Sequence, residues 1–459
     1  LSTIVMGALT GWAVARQAGT RVGIFASVVL SSCLMQAIIG RLAIMDALLD
    51  LAVALTIFFW FRAIEAGRDR YFVYGWIAAA LGFLAKGPVA LVIALLVIGV
   101  FALWNRRAES TRLPSVHAWV WGVLVMGAFV APWLIAIAAH SGVGALVQLI
   151  GHYTIGRYTG VIENQAGPVW YYLPVVILGF FPWIAFLPMA LAYGIRALRS
   201  PETPVNIARL WRLAFSWILV PLLFFSFART KLPNYIALEF PAFALVTALY
   251  FEAVVKKGAS RSVVISSLCV SVTIGMCAIA IALFVRDNRL ASSALAIAPD
   301  LAVMGTSIFA GSIVTAVLFA RREWMGIAPY GLGAAMLVAV DVLAVVALPH
   351  AEPFKPIPFF AATIQAGRKP GDAVAIQSFR GANALVFYTM PPVYALGPAG
   401  AKKSDEGIDP RGVICSHARV WLVAPKKRPA FDPLYGRSRR LIEENGSGAL
   451  YLIDGPACR

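Results

Sequence analysis

A succession of twelve apolar segments fills the first three quarters of the chain and constrains the fold more than any other feature. They lie at residues 1–15, 22–39, 46–63, 71–85, 87–104, 117–139, 169–193, 210–228, 235–254, 262–285, 299–320 and 326–348. The chain is 60% hydrophobic and 13% charged, whereas average globular chains carry about 25% charged residues. Because one soluble core cannot cover so much apolar surface, lipid must do so. The sequence predicts an all-α polytopic membrane protein of about twelve transmembrane helices.

Lys and Arg residues are divided unequally between the two sets of loops that connect these segments. Seventeen lie in one set and seven in the other, so the first set is predicted to be cytoplasmic. The formal net charge of +17 then reflects contact with anionic headgroups, which makes membrane lipids the expected partner and not nucleic acid. With twelve spans, both ends of the chain lie outside. We therefore expect one further helix before Leu1 and a chain that is truncated at its N-terminus.

Residues 349–459 predict a small soluble α/β domain that follows a transmembrane domain at 1–348. Four β-like runs, at 373–379, 384–388, 420–424 and 449–453, are separated by basic loops rich in Gly and Pro. The predicted orientation places this domain in the periplasm. In that compartment Cys415 and Cys458 are candidates for a disulfide, with two free thiols as the alternative.

Two charged groups on the predicted outer side stand at the ends of apolar segments. Ionisable residues at membrane depth are costly and are candidates for function. Asp46, shortly after Arg41, stands where a loop enters a helix. A carboxylate there suits a general base, with a first-turn charge on the helix dipole as the alternative. Lys86 precedes Gly87 and Pro88 and suits a lipid phosphate, although a lysine that only extends its amine to the membrane surface is equally consistent.

The outer loop after the sixth segment is the longest of its set and is rich in polar and aromatic residues. Long loops within compact domains are often functional, so Arg157, Tyr158 and Glu163 are candidates for lining a cavity. His140 and His152 together with Glu163 are candidate ligands of a divalent metal. Their spacing matches no specific metal motif, so we assign no metal site and no cofactor, and a divalent metal stays an alternative.

Arg229 and Lys231 are two cations on the side that the charge bias disfavours. A phosphate is a natural partner for them, because Arg offers a planar fork and Lys a point charge. Pro233 ends the helix and holds the loop in shape, and Tyr235 follows it. An anionic lipid in the membrane would satisfy these cations, and an acid in the same cavity would take a proton from an acceptor hydroxyl. The pattern fits sugar transfer from a polyprenyl phosphate at the outer face.

Four motifs carry a family resemblance, and they lie at residues 41–48, 81–88, 156–174 and 229–235. In this order they resemble the dolichyl-phosphate-mannose-protein mannosyltransferase-like superfamily, and within it the bacterial aminoarabinose (lipid A) transferase branch. The C-terminal domain also matches that branch in position. Each motif is weak alone, and the order of the four makes the match specific. The resemblance implies the GT-C fold and an inverting glycosyltransferase, similar to glycosyltransferase families 83 and 39.

The resemblance also implies a donor and roles for individual residues. The donor would be a polyprenyl-phosphate sugar, commonly undecaprenyl phosphate in bacteria, used at the outer face of the inner membrane. Asp46 corresponds to the acid of the family's second outer loop. The donor phosphate would be held by Lys86, Arg229 and Lys231, and the cavity would be lined by Arg41, Arg157, Tyr158, Glu163 and Tyr235. The family's principal acid, an Asp of the first outer loop, would precede Leu1, so we expect the chain by itself to be inactive.

Two other classes of protein stay open at this point. A secondary transporter or lipid flippase usually shows repeat symmetry and broken helices in paired positions, and the sequence has no visible repeat. A scaffold relative without activity would keep the same motifs. The sequence does not identify the sugar, and lipid A, another glycolipid, a polysaccharide or a protein are all open as acceptor.

Overall fold

The chain folds into two compact units. One, the membrane unit, comprises Leu1–Phe284 with Ala302–Val342, and the other, the C-terminal unit, comprises Val285–Leu301 with Leu343–Arg459. The sequence-based boundary between residues 348 and 349 stays a prediction. The computed structural model describes residues 1–42, 44–106, 113–151, 156–161, 165–258, 261–286, 296–377, 382–390, 392–397, 408, 410–426, 437–446 and 448–454.

Helices make up the described chain as far as Val342. They are α1 (Ser2–Ala18), α2 (Thr20–Ser31), α3 (Leu34–Ile39), α4 (Asp46–Ala66), α5 (Asp69–Lys86), α6 (Val89–Asn105), α7 (Val116–Ile150), α8 (Arg157–Thr159), α9 (Tyr172–Gly179), α10 (Leu187–Arg199), α11 (Val205–Phe227), α12 (Phe240–Lys257), α13 (Arg261–Arg286), α14 (Ala298–Ala320) and α15 (Ala328–Val342). A 3₁₀ segment, Pro233–Glu239, leads into α12.

The predicted class, a helical membrane protein, is confirmed. Within the described ranges, seven helical stretches are long and apolar enough to cross a membrane, and shorter apolar helices accompany them. The figure of about twelve crossings stays a prediction. One apolar segment, 169–193, is broken into short helical pieces, where Pro182 and Pro188 lack the backbone N–H that a continuous helix needs.

The ends of α4 and α5 explain why two of the motifs meet. Asp46 is the first residue of α4, where a carboxylate complements the positive helix end. Lys86 is the last residue of α5, where an ammonium complements the negative end. Gly87 follows with φ 77°, a conformation that only Gly adopts without strain, and the chain turns there into α6. Since α4 and α5 are neighbouring antiparallel helices, Asp46 and Lys86 lie at the same end of the pair.

Close helix contacts and aromatic rings form the core of the membrane unit. At the α1–α2 crossing, a Cβ on Gly23 would come 2.3 Å from the Gly11 carbonyl oxygen, so the two backbones approach as small residues allow in membranes. Elsewhere Phe251 packs against the rings of Phe25 and Phe186 at centroid distances of 6.1 and 5.2 Å. These contacts hold α1, α2 and α12 together within the unit.

The C-terminal unit contains a five-stranded sheet, which confirms the predicted small α/β domain. Its strands are β1 (Ala373–Gln377), β2 (Val393–Leu396), β3 (Val420–Pro425), β4 (Ser438–Asn445) and β5 (Gly448–Asp454), in the order β2-β1-β3-β5-β4. Strands β2, β1 and β3 are parallel to one another, and β5 is antiparallel to both of its neighbours, β3 and β4. The unit's described helices include α16 (Pro356–Gly367), α17 (Ala382–Thr389) and α18 (Pro410–Ser416).

One predicted strand of this domain is wrong. Residues 384–388 belong to α17, not to the sheet. A short apolar run does not distinguish a strand from a buried helix by its periodicity. The sheet instead uses β2 and the charged strand β4, neither of which stood out in the sequence.

Candidate functional site

A cavity of about 750 Å³ lies in the membrane unit, and all four motifs contribute to its wall. The residues that represent them are Asp46, Lys86, Arg157, Tyr158 and Tyr235. Most of the remaining lining is apolar and comes from α5, α6, α7 and α11. An apolar cavity with a few convergent polar groups is the usual form of a small-molecule site.

An ion pair joins the first two motifs at this wall. The Lys86 ammonium donates to Asp46 Oδ1 at 2.5 Å, and the Asn234 amide donates to the same oxygen at 2.8 Å. The Lys86 side chain is 24% exposed and that of Asp46 is 7% exposed. The carboxylate is therefore held by two donors, while the ammonium stays accessible from the cavity.

Tyr235 connects this pair to the third motif. The Lys86 ammonium lies 5.2 Å from the centroid of the Tyr235 ring, within the range of a cation–π contact. The Tyr235 hydroxyl accepts a hydrogen bond of 3.0 Å from Arg157. Two cations thus contact one phenol, Lys86 at its ring and Arg157 at its hydroxyl, and hold it at the cavity wall.

Backbone hydrogen bonds hold the third and fourth motifs together. The Arg229 N–H donates to the Tyr158 carbonyl at 3.0 Å, and the Thr230 N–H donates to the Arg157 carbonyl at 3.1 Å. Tyr158, in turn, packs its ring against Phe224 at 4.9 Å. Because these bonds use only the main chain, they leave the side chains of the two motifs available for other contacts.

Arg229 and Lys231 stand in very different surroundings. Lys231 is 4% exposed, and its ammonium donates to the carbonyls of Phe225, Ser226 and Ala228 at 3.4, 2.8 and 2.5 Å. Burial, with a smaller effect of the Arg229 charge, lowers the pKa of Lys231. Arg229 is exposed, and its guanidinium makes no hydrogen bond or ion pair with the described residues. Lys231 thus caps the end of α11, and Arg229 is the solvent-exposed cation of the two; contrary to the prediction, neither lines the cavity.

Other predicted residues lie away from the cavity or outside the described ranges. Arg41 does not line the cavity, because its guanidinium donates to the Ala37 carbonyl and pairs with Asp341 at 3.2 Å. Glu163 and His152 lie outside the described residues, as does Cys458, the predicted partner of the disulfide-bonded Cys415. The described part of the chain contains no cluster of three potential metal-ligating side chains. The pairing of Cys415 with Cys458 stays a prediction.

Two polar residues at the site were not assigned from the sequence. Asn234 lies inside the fourth motif, between Pro233 and Tyr235. A polar amide at that position could have indicated a hydrogen-bond donor to the site. Asp50, one turn after Asp46 on α4, is fully buried, and its carboxyl oxygens have no hydrogen-bond partner among the described residues. An unpartnered carboxyl at membrane depth is costly, and it adds a second acid behind the ion pair.

Comparisons with known proteins find similar chains. Residues 1–135 match the family model described as dolichyl-phosphate-mannose-protein mannosyltransferase. The chain resembles the aminoarabinose-transferase-like branch of this superfamily. It is 33% identical to an undecaprenyl phosphate-alpha-4-amino-4-deoxy-L-arabinose arabinosyl transferase of Erwinia tasmaniensis. That alignment spans 235 residues, which are 49% of this chain and 39% of the relative. Against a transferase of the same description from Aeromonas salmonicida it is 30% identical over 334 residues, 70% of the chain and 55% of the relative.

Solved structures show the same fold. The crystal structure of ArnT from Cupriavidus metallidurans bound to undecaprenyl phosphate superposes with a TM-score of 0.74 at 20% identity, over 99% of this chain and 84% of that one. The apo form of the same protein gives 0.70 at 18% identity. The chain spans between about two fifths and just over half the length of the curated relatives above. It is a multi-pass protein of the inner membrane.

Proposed function

We propose that the protein is an integral-membrane glycosyltransferase that moves a sugar from a polyprenyl phosphate, in bacteria undecaprenyl phosphate, to a lipid A-like or other cell-envelope acceptor. The reaction takes place at the outer face of the inner membrane, with the C-terminal unit in the periplasm. The observation that carries the proposal is the Lys86–Asp46 pair on the wall of an apolar cavity of about 750 Å³. The donor named in the descriptions of the relatives supports the same substrate class.

Lys86 and Arg229 are assigned to the donor phosphate. A polyprenyl-phosphate sugar carries a phosphodiester, and its charge becomes more negative as the bond from the anomeric carbon to the phosphate oxygen breaks. A preorganised cation stabilises this developing charge in a site that excludes water. Lys86 is accessible to the cavity with a single carboxylate as ionic partner, and Arg229 is exposed on the neighbouring loop. The apolar lining suits the isoprenoid chain.

Asp46 is assigned to the acceptor hydroxyl. In the described arrangement its carboxylate is paired with Lys86. A donor phosphate that draws the Lys86 ammonium toward itself removes that counter-charge. Asp46, still held by Asn234, is then free of its ion pair and can take the proton of the acceptor hydroxyl.

The transfer step follows from this placement. The acceptor oxygen attacks the anomeric carbon from the side opposite the phosphate, and its proton passes to the Asp46 carboxylate. The bond to the phosphate oxygen breaks with its electron pair, and the lipid phosphate leaves. Attack opposite the leaving group inverts the anomeric configuration. Arg157 and Tyr158 shape the cavity, and Lys231 holds the end of α11 on which the Arg229 loop depends.

Mass spectrometry of lipid A and envelope glycoconjugates from a deletion strain tests the proposal. We expect one sugar-modified species to disappear and to return with the wild-type gene, but not with Lys86→Ala. Lys257→Ala is a matched control, because Lys257 also ends a helix before a Gly of positive φ and also lies 5.2 Å from a tyrosine ring. An unchanged envelope in the deletion strain, or full restoration by Lys86→Ala, contradicts the proposal.

A further inference from the structure

A second cavity lies toward the other end of α4. It measures about 180 Å³ and is lined by side chains of α1, α4 and α5, among them Leu9, Trp12, Leu55 and Phe58. Arg62, which also lines it, lies sixteen residues after the start of α4, or about 24 Å along the helix axis. This cavity is therefore separate from the one that Asp46 and Lys86 share.

Two of the side chains that line this cavity are arginines with N–H donors available for a ligand. The Arg16 guanidinium lies 5.8 Å from the Trp12 ring and makes no hydrogen bond or ion pair with the described residues. Arg62 lies 3.5 Å from Glu65 and 6.0 Å from the Tyr71 ring. Each guanidinium has five N–H donors, and these contacts occupy few of them.

Among the described residues, Glu65 is the acid that pairs with Arg62 and Arg209. Glu65 accepts a hydrogen bond from Gln17, pairs with Arg62, and lies 4.0 Å from Arg209. Arg209 is only 9% exposed, and its Nε and Nη2 have no acceptor among the described residues. A buried guanidinium without enough acceptors is costly. Arg16 and Arg62, which line the cavity, therefore carry positive charge that Glu65 alone does not balance and that an anion there would balance.

We propose that this cavity binds an anionic phospholipid of the membrane leaflet on the Arg-rich side. Its phosphate lies against Arg16 and Arg62, and the first part of one acyl chain lies along Leu9, Leu55 and Phe58. Arg recognises phosphate through its planar fork, and the cytoplasmic leaflet, which the charge bias places on this side, is the one that carries anionic lipids.

The shape of the cavity favours a lipid over a free phosphate ion. The lining beyond the two arginines is largely apolar, and Trp12 is 60% exposed. Tryptophan at the membrane interface places an apolar ring beside lipid tails at headgroup depth. A free phosphate would satisfy the arginines and leave this apolar surface uncovered, whereas a phospholipid covers both.

Native mass spectrometry of the protein in mild detergent tests the proposal by titration with phosphatidylglycerol, with phosphatidylcholine of the same acyl chains and with inorganic phosphate. We expect one phosphatidylglycerol to be retained about tenfold or more tightly than phosphatidylcholine, because the quaternary ammonium of phosphatidylcholine offsets its phosphate charge and is repelled by the two arginines, whereas phosphatidylglycerol keeps a net negative charge. Inorganic phosphate should not displace it. Equal retention of the two lipids, or displacement by phosphate, overturns the proposal.

Variants separate this cavity from general surface charge. The double substitution Arg16→Gln and Arg62→Gln should abolish the preference for phosphatidylglycerol. The control, Arg106→Gln with Arg199→Gln, removes the same charge from exposed positions that do not line the cavity and should keep the preference. Loss in both pairs alike, or in neither, contradicts the proposal.

A third variant guards against a double substitution that fails to fold. Ala13→Phe fills the cavity and leaves both arginines in place. We expect it to lose the retained lipid while it keeps the thermal midpoint of the wild type in detergent. Undiminished retention by Ala13→Phe would mean that the lipid is held by surface charge alone and not in the cavity, which overturns the proposal.

Discussion

Lys86 and Lys231 both come from motifs on the predicted outer side, yet their ammonium groups differ in exposure and in the number of hydrogen-bond acceptors around them. Lys86 ends α5, has one carboxylate as ionic partner and is 24% exposed toward a large cavity. Lys231 is 4% exposed and donates to three carbonyls at the end of α11. An ammonium has only three protons to donate. The comparison teaches that the role of a lysine depends on how many of its N–H groups its neighbours already occupy. The residue type alone does not reveal this.

Lys86→Ala should give the largest effect on activity. Removal of a preorganised group that stabilises developing charge typically lowers the rate by about 10²–10³, and the Asp46 carboxylate that loses its counter-ion keeps the Asn234 donor. We expect this loss in a transfer assay with a polyprenyl-phosphate sugar in membranes. Lys86→Arg keeps the charge and should recover part of the rate. Full activity of Lys86→Ala would remove Lys86 from the proposed site.

Lys231→Met should act on stability first. The substitution leaves three carbonyls at the end of α11 without their donor, and an unsatisfied buried polar group costs about 1–3 kcal/mol. We expect a lower thermal midpoint in detergent. Lys257→Met, at an exposed helix end, should leave the midpoint unchanged. A Lys231→Met protein of normal stability that no longer binds donor would assign Lys231 to the phosphate after all.

Arg229→Gln should weaken donor binding without a change in stability. Its guanidinium is exposed and has no hydrogen-bond partner among the described residues, so the folded state loses nothing. One charge-assisted hydrogen bond to phosphate is worth about tenfold in affinity. Equilibrium binding of undecaprenyl phosphate measures this effect. An unchanged dissociation constant would leave Lys86 as the sole phosphate ligand among the residues proposed.

Asn234→Ala should give the smallest effect. It removes one of the two donors to Asp46 Oδ1 and leaves the Lys86 pair in place. We expect a loss of several-fold in kcat, with the KM for donor unchanged, because the amide orients the base and does not touch the phosphate. A rise in KM with constant kcat would instead place Asn234 in donor binding.

The sequence predicted the helical class and the small α/β domain because apolar periodicity and composition are local signals. It also predicted that Asp46 begins a helix and that Lys86 ends one. It predicted that both face one cavity, but it did not predict their ion pair or the pairing of Arg41 with Asp341 far along the chain. Such partners depend on how helices pack, which no local pattern encodes.

The C-terminal sheet shows the same limit. Strand β3 is buried along nearly its whole length and was predicted. Strand β4 reads Ser-Arg-Arg-Leu-Ile-Glu-Glu-Asn and lies at the sheet edge, where charged residues are tolerated. It forms a strand because it pairs with β5 and not because of its own composition. Conversely, the run at 384–388 has an apolar composition typical of a strand but forms a helix.

Binding of undecaprenyl phosphate to the wild type, to Lys86→Ala and to Lys257→Ala tests the central claim most directly. The measurement does not depend on turnover, so it isolates the cavity and its ion pair from the rest of the reaction. The account predicts that Lys86→Ala binds about tenfold or more weakly, while Lys257→Ala binds like the wild type. Equal affinity of all three proteins would contradict the assignment of Lys86 to the donor phosphate.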